Sequence, residues 1–150
     1  MRVVLQVVNH ASVSVDGVEA GKIGKGFALL IGFTEGDNKE IASKMADKIV
    51  KLRLFPDENG KMNLSLAAVN GSILSVSQFT LYGSAKEGNR PSFVNAMKAD
   101  EARELYSYFY SYLSSIYPFV SGGVFQSYMK VELENDGPTT LILDSKELFK

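Results

Sequence analysis

The sequence predicts an α+β fold: one domain over residues 1–150, with a largely antiparallel or mixed β-sheet and two long helices. Three observations predict it. Valine-rich or alternating segments recur between Arg2 and Phe33, between Gly71 and Leu81, and between Ser127 and Leu143. Two helical stripes separate them, and no repeat, low-complexity stretch or linker divides the chain. A chain of 150 residues buries roughly two-thirds of its unfolded surface without staples, and 45% hydrophobic with 22% charged residues is ordinary for a globular domain.

Arg2 to Val8 is rich in valine and leucine, and Ala11 to Val15 alternates before Asp16-Gly17, a dipeptide suited to a tight hairpin turn, so Val18 to Ile23 is the expected return strand. Phe27 to Phe33 is a short continuous apolar run, the pattern of a strand buried on both faces. The glycines at 21, 24 and 26 match neither phosphate-loop nor dinucleotide spacing and are read as turn glycines. Asp37 to Arg53 is expected as the first helix, with Asp37 and Glu40 forming a capping box and Ile41, Met45, Ile49 and Leu52 on one stripe. Pro56 to Gly60 is a turn, and Met62 to Leu66 is a short segment of either type.

Gly71 to Val76 alternates as a half-buried strand and delivers Ser77-Gln78-Phe79-Thr80-Leu81. A polar surface loop follows to Arg90, and Pro91 is placed to open a short helix through Met97. The second long helix is expected over Asp100 to Ile116, with Ala102, Leu105, Phe109, Leu113 and Ile116 inward. Its tyrosines at 106, 108, 110 and 112 spread around more than one face, which fits either an irregular core edge or a second chain. After Pro118 and the turn or bulge at Gly122-Gly123, Ser127 to Leu133 alternates as a strand, Asn135-Asp136-Gly137-Pro138 reads as a strong turn, and Leu141 to Leu143 closes the sheet.

Composition narrows the chemistry. With no cysteine there is no disulfide, thiolate nucleophile or cysteine-bound metal, and one histidine argues against a conventional Ser-His-Asp triad or a histidine metal site. That histidine, His10, reads as a surface or strand-edge residue, and no cofactor or metal is expected. Net charge −1 and a pI of about 5.9 give no overall basic footprint. Nucleic-acid contact would need local patches such as Lys44, Lys48, Lys51 and Arg53, or Lys86 and Arg90. No apolar run is long enough to cross a bilayer and Met1 to Gln6 lacks a signal-peptide pattern, so a cytoplasmic protein is expected.

The Ser77 to Leu81 segment is the candidate site, because two hydroxyls, an amide and several N–H groups fall within one turn of chain at a strand end. Together with Asn135-Asp136-Gly137-Pro138-Thr139-Thr140 it resembles the paired motifs of D-aminoacyl-tRNA deacylases, also called D-tyrosyl-tRNA deacylases. The likeness extends through Gln6, Ala11-Ser12-Val13, Gly24-Lys25-Gly26, Gly60 to Ser65 and Gly88 to Phe93, over nearly the whole chain and in the family's order. The resemblance implies a cytoplasmic homodimer that hydrolyses the ester joining a D-amino acid to the terminal adenosine of tRNA. It implies that Ser77, Gln78, Phe79 and Thr80 form the catalytic segment. Leu81, Gly137 and Pro138 would bind substrate and select its chirality, the Gly137-Pro138 peptide in cis and reaching in from the other subunit. Lys86, Arg90, Phe125 and Met129 are the expected tRNA contacts.

The chain departs from the family pattern at Val7, where an arginine is common, at His10, where a basic residue is usual, at Gln126-Ser127-Tyr128, where a small Gly-Ala-containing stretch is typical, and at Thr139, a frequent valine. An aminoacyl ester is already activated, so positioning, main-chain N–H donors and an admitted water can hydrolyse it without a side-chain nucleophile; the resemblance implies that the substrate's own ribose 2′-hydroxyl assists. Thr80 as nucleophile lacks an identifiable base in the sequence. The alternative is a non-catalytic protein of the same fold that binds an RNA end or an aminoacyl ligand.

Overall fold

The computed structural model describes residues 1–150. Its strands are β1 (Arg2–Val15), β2 (Val18–Ile23), β3 (Gly26–Gly32), β4 (Phe55–Pro56), β5 (Met62–Leu64), β6 (Ser72–Ser77), β7 (Val120–Gly122) and β8 (Lys130–Asp144). Its helices are α1 (Lys39–Lys51), α2 (Ala99–Ile116) and α3 (Ser145–Leu148). The main sheet runs β2-β1-β3-β6-β7, with β8 on the other side of β1. The sheet is mixed, as expected: β3–β6 and β6–β7 are parallel and the remaining pairs antiparallel.

β1 organises this sheet. On one edge its first half pairs β3 and its second half pairs β2, while the other edge carries β8 along almost its whole length. The two valine-rich segments expected at Arg2 to Val8 and Ala11 to Val15 are therefore one strand, irregular in its β8 register around Val8 to His10. Alternation then sorts the side chains. Val3, Leu5 and Val7 of β1 and Phe27, Leu29 and Ile31 of β3 point under α1 and α2, where they join Met45, Ile49, Phe109 and Leu113 in a core of 22 buried residues. A smaller cluster of 7, including Ala11, Val13, Ala28, Leu74 and Val76, lies on the face without helices.

Several elements differ from expectation. Asn38 caps α1, accepting from the Ile41 amide at 2.9 Å, while the expected cap Asp37 is engaged by the Thr34 amide at 2.8 Å and the Met1 amino group at 2.6 Å. No helix forms after Pro91. The backbone there is already committed across the sheet end: Met97 N–H donates to Phe33 O, Asn95 O accepts from the Thr34 hydroxyl, and Thr34 bridges Ala96. Asn135 to Pro138 is not a chain-reversing turn but a bulge inside β8, since Gln6 faces Thr140 whereas Val8, two residues on, already faces Asn135. The strand expected from Ser127 begins only at Lys130, because Gln126 adopts the left-handed region at φ 62° and Ser127 turns back on Val124. Short β4, β7 and α3 were not legible as elements, and Ile116 ends the α2 stripe 37% exposed.

The α2 tyrosines are spent within the chain. Tyr106 hydroxyl donates to Ser75 O at 3.0 Å, Tyr108 hydroxyl shares a hydrogen bond with Ser43 Oγ, Tyr112 hydroxyl donates to Asp47 at 2.8 Å, and Tyr110 hydroxyl reaches Val120 O at 3.5 Å. They fasten α2 to α1 on one side and to β6 and β7 on the other. These bonds fit the irregular core edge.

Candidate active site

The parallel strand β6 ends at Ser77, and the chain turns at once into a 3-10 helix over Phe79–Tyr82. Two features place that turn. Gln78 N–H donates to Ile31 O at 2.7 Å, carrying the β3 edge one residue past the strand, and Gly32 leaves room beneath it. A side-chain carbon at Gly32 would sit 2.9 Å from Gln78 O and 3.1 Å from Leu81 Cβ, so only glycine admits the turn at this height.

In front of the turn lies a cleft of about 830 Å³. Its floor is the end of β3 and β6, one wall is the start of α2 with Lys98, Ala99 and Ala102, and the opposite wall is the segment from Phe125 to Met129. Ser77, Gln78, Phe79 and Thr80 all line it, and so do Phe125 and Met129. A second, shallower groove of about 490 Å³ beside Lys51, Arg53 and Asn63 contains none of the predicted site residues. Gln78 Nε2 donates to Thr80 Oγ1, and the Phe79 ring, 56% exposed, meets Phe93 edge-on at 5.3 Å between centroids. The first N–H groups of a helical turn have no carbonyl upstream in the same helix, so the Phe79 and Thr80 amides have no intrahelical acceptor.

Among the side chains lining the cleft only Lys98 and Tyr128 are ionisable, and none is a carboxylate or an imidazole. His10 lies elsewhere, 62% exposed and 3.8 Å from Glu134. Below the Phe125 ring, burial pushes the Tyr106 hydroxyl up to about 12, only partly offset by its hydrogen bond with Ser75. It stays protonated and serves as a structural donor. The arrangement can bind, donate from main-chain N–H groups and stack; it contains no nucleophile paired with a base.

The other predicted residues stand apart from this cleft. Leu81 is behind the turn, its carbonyl accepting from Arg2 Nη1 at 2.8 Å. Lys86 and Arg90 are exposed on the loop that the Ser84–Ser92 bridge closes. Gly137 and Pro138 are exposed in the β8 bulge, their peptide cis and Gly137 at φ 120°, with Asn135 bracing the bulge through the Thr139 amide at 3.2 Å and the Thr140 hydroxyl at 3.0 Å. The bulge adjoins β1 near Val7 and is separated from β6 by the two strands β1 and β3. Sequence reading missed Phe93 and Lys98 as cleft residues because Pro91 to Met97 reads as a short helix and carries no site signal there. It also missed Arg103, whose guanidinium lies 4.9 Å from the Phe125 ring and donates to Gln126 Oε1. The Gln126-Ser127-Tyr128 departure noted in the sequence is the one signal that pointed there, and Gln126 takes the left-handed conformation in the structure.

Fold and cleft together define a small α+β domain with a cleft at the end of its sheet, lined by main-chain donors, hydroxyls and aromatic faces. A family model described as D-Tyr-tRNA(Tyr) deacylase matches residues 4–144. The chain is 56% identical over 144 residues to the D-aminoacyl-tRNA deacylase of Lactobacillus acidophilus, covering 96% of this chain and 99% of that protein. It is 48% identical over 149 residues to that of Clostridium acetobutylicum, covering 99% and 100%. A solved structure described as c-Myc DNA Unwinding Element Binding Protein superposes with a TM-score of 0.90 at 38% identity, over 96% of this chain and 98% of the other. A probable eukaryotic D-amino acid tRNA deacylase superposes with a TM-score of 0.81 at 17% identity, over 95% and 97%, a likeness of fold. The chain belongs to the D-aminoacyl-tRNA deacylase family.

Proposed function

We propose that this protein hydrolyses the ester between a D-amino acid and the terminal adenosine of tRNA, in the cytoplasm and as a homodimer. The observation that carries the mechanism is the cleft itself, which offers Ser77 to Thr80 at a strand end and no carboxylate or imidazole among its lining residues. Water adds to the ester carbonyl, N–H groups of the Phe79–Thr80 main chain stabilise the oxyanion, and the tetrahedral intermediate collapses with loss of the ribose 3′-oxygen. The ribose 2′-hydroxyl relays the proton to that oxygen, leaving free D-amino acid and tRNA. Gln78 holds the Thr80 hydroxyl, so the threonine orients substrate or water rather than attacking.

Chirality is read by exclusion. Gly137 and Pro138 form an exposed main-chain prominence distant in the sheet from Thr80 of the same chain, and in the proposed dimer they enter the partner's cleft, where rigid backbone meets an L side chain and leaves a D side chain free. The uncovered sheet face that carries Val4, Leu30 and Ile142 supplies the dimer contact. Phe125 and Met129 in the cleft wall and Lys86 and Arg90 on the exposed loop closed by the Ser84–Ser92 bridge take the tRNA end, the Phe125 face and Met129 for bases and the cations for phosphates.

The test is deacylation of matched D- and L-aminoacyl-tRNAs. The D-form is released far faster than spontaneously, Thr80→Ala keeps most of the activity, and tRNA ending in 2′-deoxyadenosine is a poor substrate. If Thr80→Ala abolishes turnover while folding and binding are intact, threonine is the nucleophile. The second reading, binding without hydrolysis, draws on the solved relative described as a DNA-element binding protein. It requires D-aminoacyl-tRNA to bind and remain acylated.

A further inference from the structure

The catalytic turn is held from behind by a cluster that the proposed reaction does not use. Arg2 lies at the start of β1, in the sheet row that joins Asp144 of β8, Arg2 and Gly32 of β3. Its guanidinium makes three contacts in three directions. Nε donates to Asp144 Oδ2 at 3.2 Å, Nη1 donates to the Leu81 carbonyl at 2.8 Å, and the guanidinium carbon sits 4.6 Å from the centre of the Tyr82 ring. Leu81 and Tyr82 are the last two residues of the 3-10 turn whose first residues, Phe79 and Thr80, line the cleft. The last carbonyls of a helical turn have no intrahelical donor, so a cation there supplies both a hydrogen bond and a favourable charge.

We propose that Arg2 is a positioning residue for this active turn: clamped by Asp144 and the Tyr82 ring, it fixes the Leu81 carbonyl and so sets the direction in which the Phe79 and Thr80 amides face the cleft. This rests on the deacylase reading for its chemistry and goes beyond it in naming what holds the donors. The turn has few other supports. Gln78 N–H anchors the cap of the turn to Ile31 O, Leu81 N–H returns to Gln78 O at 3.3 Å, Gly83 N–H closes onto Thr80 O, and the Phe79 ring meets Phe93, but the chain passes over Gly32, which offers no side chain to pack against, and the Leu81 carbonyl is held by Arg2. A planar guanidinium can satisfy the carboxylate and the carbonyl at once while stacking on a ring, whereas an ammonium has the charge without that fixed fork.

The experiment compares the native protein with Arg2→Met, Arg2→Lys and Asp144→Asn on D-aminoacyl-tRNA, each corrected for folded fraction by its thermal melt. Misplacement of preorganised donors is felt in turnover. Arg2→Met is expected to lower kcat about 10-fold with KM changed less than about 2-fold. Methylguanidinium is expected to restore part of that loss, Arg2→Lys to fall between, and Asp144→Asn to lose less than Arg2→Met because the Leu81 contact remains. Backbone amide shifts and hydrogen exchange at Thr80 to Tyr82 are recorded on the same samples. They are expected to change in Arg2→Met and to recover with methylguanidinium. Native kcat in a folded Arg2→Met protein, a change confined to KM, or a loss that tracks the unfolded fraction and resists rescue overturns the proposal. If the native protein deacylates nothing, the deacylase reading fails, and the amide measurements decide by themselves whether Arg2 fixes the turn: unchanged shifts and exchange overturn it, rescued changes support it.

Discussion

The two faces of the sheet are made from the same strands and end in opposite states. On the inner face every β1 and β3 side chain from Val3 to Val7 and from Phe27 to Ile31 is buried beneath α1 and α2. On the outer face the row Ile142–Val4–Leu30–Val76 runs across four strands with no helix above it, and Ile142 is 69% exposed. Alternation along a strand assigns both sets of side chains to a face, yet only the inner face is covered by helices; on the outer face Ala28, Leu74 and Val76 are buried by a smaller cluster while Ile142 stays open. The difference teaches that the inner face makes this domain fold, while the outer face remains available for assembly. The 3-10 turn of Phe79 to Tyr82 sits where the two meet, crossing the sheet end over Gly32.

The inner face is broken most severely by deleting one large side chain. Phe109 is fully buried between α2 and the sheet, so Phe109→Ala should cost about 3–5 kcal/mol, read as a lower denaturant midpoint with an unchanged slope. An equally apolar residue on the outer face should behave differently. Ile142→Lys leaves each subunit folded but should weaken self-association on the order of 100-fold, about 2.7 kcal/mol, measured by sedimentation. Sedimentation of the native protein as a monomer would refute the proposed dimer, and an unaltered dimer in the variant would place the subunit contact elsewhere.

The same contrast separates what the sequence made legible from what it hid. The inner face could be read because periodicity records it: Ile41, Met45 and Ile49 on one helix and Ala102, Leu105, Phe109 and Leu113 on the other all pack inward. That Ser77 to Thr80 would stand together was legible from polar residues at a strand end and from the family motif, and they line one cleft. What stayed hidden depends on tertiary contacts that local pattern does not record. Pro91 has the chemistry of a helix start, but the neighbouring backbone is taken up by Phe33 and Thr34. Asn135 to Pro138 has turn chemistry, but β1 pairs the chain on both sides and converts the turn into a bulge. Arg2 carries no local signal at all, because its partners Leu81 and Asp144 lie 79 and 142 residues away.

The smallest effect sharpens the comparison at the polar end of the outer face, where Asp144 faces Arg2. Burial acts to raise the Asp144 carboxyl, but the Lys146 amide, the hydrogen bond and charge of Arg2 and the nearby N-terminal ammonium together outweigh it and leave the group below its ordinary 3.8. A carboxyl depressed in the folded state binds its proton less readily there than in the unfolded chain. Its contribution to stability is therefore fully present above about pH 4 and is lost as the pH falls through the folded-state value. Asp144→Asn removes this dependence. The variant should be less stable than the native protein at pH 6 by no more than about 1 kcal/mol, because the pair is partly exposed and screened by solvent. The two should converge as acid protonates the native carboxyl, so that the acid limb of the stability curve is shallower in the variant. Urea midpoints measured at pH 6 and then stepwise below pH 4 test this, and a constant difference across that range would mean that the asparagine perturbs packing rather than charge. Unlike Phe109→Ala, the change should leave the core untouched, and unlike Ile142→Lys it should leave self-association unaltered. Asp144 thus reports on the charge at the edge of the outer face separately from the apolar row beside it.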